Sequence, residues 1–186
     1  MIQAGVNTMK SEFSSRSQVV YSGESFDVRL DSVTLSNGHE FTAETVDTSD
    51  SVIVLPLLNE GEAVFIRQYR YAVAQWLLEV PAGGIEDGES PVAAAERELL
   101  EETGYRASEF EKIGSFWLAP GICNEFMHVF VARGLVAEAA QPENDELIQV
   151  EIHDIASVFS QLSSGAIQDA KTLGVLWIFH HWYNGN

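Results

Sequence analysis

The sequence has little positive charge. Ten Lys and Arg stand against 28 Asp and Glu in 186 residues, which gives a formal net charge of −18. Such a charge repels phosphate backbones and anionic membrane surfaces at long range, so we expect neither a nucleic-acid partner nor a membrane partner. A bound metal cation can invert the field at one site, so the acidity does not exclude a phosphorylated substrate.

Cysteine and long apolar runs are also scarce. Cys123 is the single cysteine, which excludes an internal disulfide, and the first ten residues contain no apolar run of signal-peptide length. The apolar runs at 52–58 and 174–179 fall far short of the ~20 residues that cross a bilayer. We therefore expect a cytoplasmic protein without a membrane segment.

The chain divides into three parts by composition and periodicity. Residues 1–17 are polar and Ser-rich, which indicates a flexible amino terminus. Residues 18–50 alternate in short runs with a hairpin signal at Asn37-Gly38, which predicts a small antiparallel sheet. Such a sheet needs a partner surface, so we expect it to take part in substrate binding or in a homodimer. Residues 51–186 form the main domain.

The main domain alternates strand-like runs with a few helical ones, which predicts an α/β layer structure. Its best-defined helix follows Ser90 and Pro91, a typical N-cap and first helical position, and stops at Gly104. One face of this helix collects Glu98, Glu101 and Glu102. Carboxylates clustered on a rigid face suit Mg²⁺ or Mn²⁺, although acidic helix faces often serve only solubility.

The spacing around this helix decides between the two readings. The segment GGIEDGESPVAAAERELLEETGY resembles the Nudix box, in which a glycine, five variable residues, a glutamate and seven variable residues precede Arg-Glu-aliphatic-x-Glu-Glu-x-Gly-hydrophobic. The matching positions are Gly83, Glu89, Arg97, Glu98, Leu99, Glu101, Glu102, Gly104 and Tyr105. The resemblance implies a Nudix fold, an α/β/α sandwich with a mixed β-sheet, that hydrolyses nucleoside diphosphates linked to another group.

The resemblance also implies roles for individual residues. The Ala82 carbonyl and the carboxylates of Glu98, Glu101 and Glu102 would hold Mg²⁺, with Mn²⁺ as the alternative, and Glu102 would serve catalysis directly. Gly83 and Gly84 would let the backbone approach metal and substrate closely. The structural positions of the box would be Gly83, Glu89, Arg97 and Gly104, with Arg97 and Glu89 bracing the loop against the helix.

The segment FIRQYRYAVAQWLLEVPAGGIEDGE leads into the box and LAPGICNE follows it downstream, and both resemble the corresponding segments of ADP-ribose pyrophosphatases. By this resemblance Arg70 would hold a phosphate with its planar fork; the alternative is an ion pair in a very acidic protein. Downstream, the backbone of Ala119, Pro120 and Gly121 would bind the terminal sugar, and Glu125 would accept hydrogen bonds from its hydroxyls. The implied reaction converts ADP-ribose to AMP and ribose 5-phosphate.

The catalytic base is predicted in the late acidic segment PENDELIQV. Glu146, which precedes an apolar strand, is our choice as base and additional metal ligand, and Glu143 and Asp145 are the alternatives. An acidic surface loop without function also fits this composition.

The sequence is also compatible with other functions. The segment ETVDTSDSV is acidic and lacks aromatics where the resembling enzymes carry basic or aromatic residues, so GDP-mannose or ADP-glucose stay candidate substrates. A non-catalytic nucleotide-sugar sensor is the competing class. A nucleoside triphosphatase would lack the Pro-Gly loop and the small sheet, which disfavours it.

Overall fold

A computed structural model describes residues 13–138 and 147–185. The described chain forms two compact units. The first comprises 13–48 and Ala119–Asn124, and the second comprises Ser49–Leu118 and the described residues from Glu125 onward. Within the described residues, no helix is long and apolar enough to span a membrane.

The first unit is an antiparallel sheet of three strands in the order β1-β2-β3. The strands are β1 (Phe13–Ser22), β2 (Asp27–Leu35) and β3 (Glu40–Asp47). Gly38 adopts φ 83° in the turn between β2 and β3, and its N–H donates to the Leu35 carbonyl at 2.9 Å. The hairpin predicted at Asn37-Gly38 is therefore present.

The first strand starts earlier than its composition indicates. Phe13 pairs with Leu35, and the ladder continues to Ser22 opposite Asp27. Residues 13–17, which the Ser-rich composition placed in the flexible terminus, are therefore strand. Pairing with β2 overrides the low intrinsic β propensity of the serines. Residues 1–12 lie outside the described part of the chain.

The second unit contains nine strands and three helices within its described residues. They are β4 (Ser51–Pro56), β5 (Glu62–Arg70), β6 (Gln75–Glu79), β7 (Ala82–Gly84), α1 (Pro91–Thr103), β8 (Tyr105–Arg106), β9 (Glu109–Trp117), β10 (Phe126–Arg133), β11 (Val136–Ala137), β12 (Ile148–Asp154), α2 (Ile155–Leu162) and α3 (Ala170–Gly185), with a 3₁₀ turn at Tyr71–Val73.

The strands of the second unit form a mixed arrangement. A four-stranded sheet has the order β7-β4-β10-β9, a three-stranded sheet has the order β12-β5-β6, and β11 pairs with β8. Strands β4 and β10 are parallel, whereas β9 and β7 pair antiparallel with their neighbours. The predicted α/β class with a mixed sheet is confirmed.

Helices cover both faces of the four-stranded sheet. On one face Leu99 of α1 packs in a buried cluster with Val52 and Phe130. On the other face Leu176 of α3 packs in a second cluster with Ile53 and Val129. Side chains of a strand alternate between faces, which is why neighbouring residues such as Val52 and Ile53 enter opposite clusters. Helix α1 therefore covers the sheet face that carries Val52 and Phe130, and α3 covers the face that carries Ile53 and Val129.

Candidate active site

The loop and helix that carry the motif are held by local signals. Ser90 Oγ accepts a hydrogen bond from the Ala93 N–H, Pro91 is the first helical residue, and Gly104 ends the helix at φ 70°. Serine caps and left-handed glycines are the usual devices at these two positions. Helix α1 therefore begins and ends as its sequence predicts, which fixes the angular positions of its glutamates.

The backbone of β7 approaches α1 at Gly83. A Cβ atom at this position would overlap with the Glu98 carboxylate. One residue earlier, the Ala82 N–H donates to Glu102 Oε2 at 3.0 Å. Any side chain at 83 would therefore displace the Glu98 carboxylate from its present position. The strand end and the helix together enclose the carboxylates of Glu98 and Glu102, which are 9% and 3% exposed.

Arg97 joins the loop to the helix. Its guanidinium donates to both carboxylate oxygens of Glu89, at 3.1 and 3.0 Å, and to the Gly84 carbonyl at 2.8 Å. Its Nη1 donates to Glu98 Oε1 at 2.7 Å and to Glu101 Oε2 at 3.1 Å. We call Arg97, Glu89, Glu98 and Glu101 the Arg97 cluster. Its contacts are those of a brace between loop and helix.

The ionisation of this cluster follows from the same contacts. Hydrogen bonds to Glu89, then to Glu98 and Glu101, raise the pKa of Arg97 above its usual range. The hydrogen bond from Arg97 lowers the pKa of Glu89. Both groups stay charged at neutral pH, so a single positive charge faces the three carboxylates of the cluster and, at 4.0 Å, that of the exposed Glu86. Glu102 lies one helical turn beyond Glu98.

The donor chemistry of this site fits a divalent cation. Carboxylate and backbone carbonyl oxygens are ligands that Mg²⁺ and Mn²⁺ prefer, and the lack of a side chain at Gly83 lets the Glu98 carboxylate lie against the backbone of β7. The residues 13–138 and 147–185 contain no preformed group of three His, Cys, Asp or Glu side chains able to hold a metal. Two of the predicted ligands, Glu98 and Glu101, are instead held by Arg97.

Arg70 ends β5 beside a buried carboxylate that the sequence analysis missed. Its Nε donates to Glu79 Oε1 at 2.8 Å and its Nη2 to Glu79 Oε2 at 2.7 Å. Lys171 Nζ lies 3.1 Å from the same Oε2 and 2.6 Å from Asp169 Oδ1. We call Glu79, Arg70, Lys171 and Asp169 the Glu79 cluster. Arg70 therefore forms the ion pair that was the alternative to phosphate binding.

The carboxylates of the Glu79 cluster are deeply buried, and the cluster is balanced in charge. Glu79 is fully buried and Asp169 is 7% exposed. Burial alone raises the pKa of Asp169, but the charge and hydrogen bond of Lys171 and the hydrogen bonds from Thr172 outweigh it, so that pKa is lowered. The hydrogen bonds to Glu79 raise the pKa of Arg70, and the negative charge of Glu102 adds to the effect. Arg70 therefore lies within electrostatic reach of a predicted metal ligand.

Thr172 connects this cluster to the chain that enters the motif. Its hydroxyl donates to Asp169 Oδ2 at 2.8 Å and accepts from the Val80 N–H at 3.1 Å. Two residues after Val80, the Ala82 N–H donates to Glu102 Oε2. The start of α3 thus restrains the segment between Glu79 and Ala82 through hydrogen bonds.

The loop predicted to bind the terminal sugar belongs to the first unit. The Ala119 carbonyl accepts from the N–H groups of Ile122 and Cys123 at 3.0 and 2.9 Å, and the Ile122 carbonyl accepts from Val46 at 2.7 Å. These bonds fold Ala119, Pro120 and Gly121 into a turn attached to β3, which the sequence did not indicate.

Of the remaining acidic residues predicted for the site, the structure describes only Glu125. Glu125 lies in the second unit, where its Oε1 accepts a hydrogen bond from Ser51 Oγ at 2.7 Å. Glu143, Asp145 and Glu146 fall outside the described residues. The choice of Glu146 as base therefore stays a prediction.

Comparison with known proteins relates this geometry to characterised ones. The NUDIX domain model matches residues 47–174. The chain is 35% identical to the ADP-ribose pyrophosphatase of Bacillus subtilis (strain 168) over 155 residues, which cover 82% of this chain and 84% of that protein. It is 33% identical to the methanol dehydrogenase activator of Bacillus methanolicus over 160 residues, or 85% and 86% of the two chains.

A solved structure shares the fold. The crystal structure of an ADP compounds hydrolase superimposes with a TM-score of 0.84, covering 94% of this chain and 96% of that chain at 24% sequence identity. At that identity the likeness concerns the fold alone.

Proposed function

Because the chain belongs to the Nudix hydrolase family, we propose that the nucleotide sugar whose diphosphate bond it hydrolyses is ADP-ribose. The observation that carries the choice of substrate is the 35% identity to an ADP-ribose pyrophosphatase, which extends over most of both chains. Water attacks one phosphorus atom, the bond from that phosphorus to the bridging oxygen breaks, and AMP and ribose 5-phosphate leave.

The carboxylates of Glu98, Glu101 and Glu102 and the Ala82 carbonyl would hold the divalent cation, which we propose to be Mg²⁺. When bound, such a cation neutralises the diphosphate and lowers the pKa of a coordinated water. The Ala82 N–H keeps the Glu102 carboxylate in one orientation through a 3.0 Å hydrogen bond. Gly83 and Gly84 let the substrate phosphates approach the backbone.

Arg97 has a supporting role in this proposal. It holds Glu98 and Glu101 beside each other, at 2.7 and 3.1 Å from the same nitrogen, although two carboxylates at this spacing repel. It also fixes the Gly84 carbonyl and Glu89. The ligands therefore stay grouped before a cation binds, which lowers the ordering cost of binding.

Arg70 is proposed to bind a substrate phosphate while Glu79 orients it. The bidentate pair uses Nε and Nη2, and a guanidinium carries five N–H donors. Glu125 and the backbone of Ala119, Pro120 and Gly121 are proposed to bind the terminal sugar, and Glu146 is proposed as the base. These roles follow the family resemblance.

We also propose a cytoplasmic homodimer. The described sheet of the first unit exposes large apolar side chains, namely Phe13, Val19, Val20, Tyr21 and Phe41, each at least 43% exposed. A second copy covering this sheet would remove that surface from water. Sedimentation equilibrium tests the dimer directly.

A substrate panel tests the proposed reaction. We expect cleavage of ADP-ribose with MgCl₂, and slower cleavage of ADP-glucose and GDP-mannose, when AMP or GMP release is measured by chromatography. If GDP-mannose were cleaved faster than ADP-ribose, the proposed substrate would be GDP-mannose instead. Binding of a nucleotide sugar without hydrolysis of any panel member would instead indicate that the protein is a non-catalytic sensor.

A further inference from the structure

Asn124 stands at the end of the segment that carries the proposed sugar-binding backbone. This segment, Ala119–Asn124, belongs to the first unit, and we call it the Ala119 loop. Asn124 Oδ1 accepts a hydrogen bond from the Thr48 N–H at 2.9 Å, and Nδ2 donates to Asp47 Oδ1. Its backbone N–H donates to the Val46 carbonyl at 3.3 Å. One residue thus ties the loop to the end of β3 at three points.

The two partners of the Asn124 amide need opposite hydrogen-bonding groups. The Thr48 N–H only donates, and the Asp47 carboxylate only accepts. A carboxamide offers an acceptor and two donors on one short side chain, so asparagine satisfies both partners. An aspartate at 124 would set a second carboxylate against Asp47, and an alanine would remove the contact with both partners.

Asp47 is itself fixed by the sheet of the first unit. Its Oδ2 accepts from Arg29 Nη1 at 2.7 Å, and Arg29 Nε donates to Asp31 Oδ2 at 3.1 Å. We call Asn124, Asp47, Arg29 and Asp31 the Asn124 network. Arg29 and Asp31 lie on β2, which pairs with β1 on one side and with β3 on the other. The network therefore anchors the loop to the central strand of this sheet.

The network also gives a role to an acidic segment that stood out in the sequence. Asp47 and Thr48 belong to the segment ETVDTSDSV, which lacks the basic and aromatic residues that the resembling enzymes carry there. In this chain its acidic residue Asp47 accepts from both Arg29 and Asn124. The acidic character of the segment therefore serves to hold a loop.

The tip of the Ala119 loop is open. Apart from its chain neighbours, a Cβ atom added at Gly121 would meet no heavy atom of the described residues within 4 Å, and Ile122 is 64% exposed. A ligand can therefore approach the backbone of the tip, whose position is set by the hydrogen bonds at its base. These include the bond from the Val46 N–H to the Ile122 carbonyl and the contacts of Asn124.

We propose that Asn124 is a positioning residue for the terminal sugar, because it holds the Ala119 loop where the backbone of Ala119, Pro120 and Gly121 meets the sugar hydroxyls. The inference rests on the proposed function, which assigns these backbone groups to the sugar. Hydrogen bonds weaken steeply as their geometry departs from the optimum, and binding groups must be held to within about 0.5 Å. Asn124 acts through the loop and does not have to touch the substrate.

ADP-ribose and ADP form a matched pair of ligands, because they differ by the terminal ribose. The KM for ADP-ribose and the inhibition constant of ADP are measured with MgCl₂ for each variant. We expect Asn124→Ala to raise the KM about 10-fold, as expected for one or two lost hydrogen bonds. We expect a smaller change in kcat and an unchanged inhibition constant for ADP.

Asn59 provides the control. Like Asn124, it uses both halves of its amide: Oδ1 accepts from the Gly61 N–H at 2.8 Å, and Nδ2 donates to Glu62 Oε2 at 2.7 Å. It lies between β4 and β5 in the second unit. We expect Asn59→Ala to keep the wild-type KM.

An exchange of two residues separates positioning from a general loss of structure. Asn124→Asp should resemble Asn124→Ala, because two carboxylates then face each other. The double variant Asp47→Asn/Asn124→Asp restores one amide and one carboxylate, and the bonds to Thr48 and Arg29 can form again. We expect its KM to lie within about 2-fold of the wild-type value, as strong coupling in a double-mutant cycle requires.

Three results would overturn the inference. The first is a wild-type KM in Asn124→Ala. The second is an equal rise in the KM and in the inhibition constant of ADP, which would mean that Asn124 supports the whole nucleotide site. The third is a double variant no better than Asn124→Asp. Urea denaturation shows which variants are folded in the assay, and if Asn124→Ala is not, the comparison of Asn124→Asp with the double variant decides.

These measurements separate the inference from the proposed function. If the wild type hydrolyses ADP-ribose and Asn124→Ala keeps its KM, only the inference fails. If the wild type hydrolyses no nucleotide sugar, calorimetric titration with ADP-ribose and with ADP replaces the kinetics. A loss of affinity for ADP-ribose alone in Asn124→Ala then supports the positioning role while the proposed reaction fails. Equal wild-type affinities for the two ligands would overturn the role as well.

Discussion

The Arg97 cluster and the Glu79 cluster use the same residue types and differ in balance. In the Arg97 cluster one guanidinium faces three carboxylates. In the Glu79 cluster Arg70 and Lys171 face Glu79 and Asp169, two charges of each sign. An excess of carboxylates attracts a cation, whereas equal numbers of positive and negative side chains neutralise one another within the cluster. The first arrangement is suited to binding a metal and the second to holding neighbouring groups in place.

The carboxylates of the two clusters also differ in burial. Glu79 has a side chain 1% exposed, against 30% for Glu101 and 15% for Glu89. A buried charge is tolerated only when its partners are close, and Glu79 has two. The partly exposed glutamates of the Arg97 cluster can exchange a protein partner for a cation and water. Removing one carboxylate should therefore affect catalysis in one place and folding in the other.

The largest expected effect is on turnover. We expect Glu102→Gln to lower kcat about 10³-fold, because metal-centred charge stabilisation contributes several kcal/mol to the transition state, with little loss of fold. The measurement is initial-rate kinetics on ADP-ribose with MgCl₂. Glu96→Gln, an exposed position on the same helix, is the control. Equal rates in the two variants would remove the metal role of Glu102.

The next effect is on folding. We expect Glu79→Gln to reduce the free energy of unfolding by about 3 kcal/mol, since it leaves Arg70 and Lys171 without their shared charge partner. Urea denaturation measures this loss. Glu111→Gln disrupts an exposed pair with Arg133 at 3.5 Å and should cost less than about 1 kcal/mol. Similar losses in both variants would contradict the view that burial distinguishes the Glu79 cluster.

The sequence predicts the Arg97 cluster and misses the Glu79 cluster for a physical reason. Ser90 and Gly104 act through bonds to near neighbours, and the regular helix between them sets where its glutamates point. Glu79 meets Lys171 only after β6 and α3 pack together, and no local pattern encodes that contact. A glutamate inside the apolar run QWLLEVP was the available signal, because a charge there needs a buried partner.

The loop Ala119–Asn124 and strand β1 teach the same lesson at the backbone level. The sequence predicts Ala119, Pro120 and Gly121 as a loop, but its attachment to β3 depends on hydrogen bonds to Val46 from a distant part of the chain. Likewise, residues 13–17 are strand because β2 pairs with them. Elements that depend on partners distant in sequence are the ones that composition misassigns.

Metal binding should separate the two clusters by stability. We expect MgCl₂ at about 100 times its Kd to raise the free energy of unfolding by about 2.7 kcal/mol in the wild type, measured by urea denaturation with and without the metal. Glu98→Gln should lose most of this gain, because a carboxylate of the acid-rich cluster is missing. Glu79→Gln should keep it despite its lower starting stability. The opposite pattern would place the cation at the Glu79 cluster.

The smallest expected effect is a pH dependence that belongs to the balanced cluster. Contacts with Lys171 and Thr172 lower the pKa of Asp169 in the folded state, so its stabilisation is present above the unfolded value of about 3.9 and is lost as the pH falls through the folded value. Asp169→Asn should therefore differ most from the wild type near neutral pH, and the difference should narrow in acid. Urea denaturation between about pH 7 and 3 measures this, with Glu138→Gln, in an exposed pair, as control. A constant difference across that range would mean that Asp169 contributes through packing and hydrogen bonding, and the charge balance of the cluster would then not account for its stability.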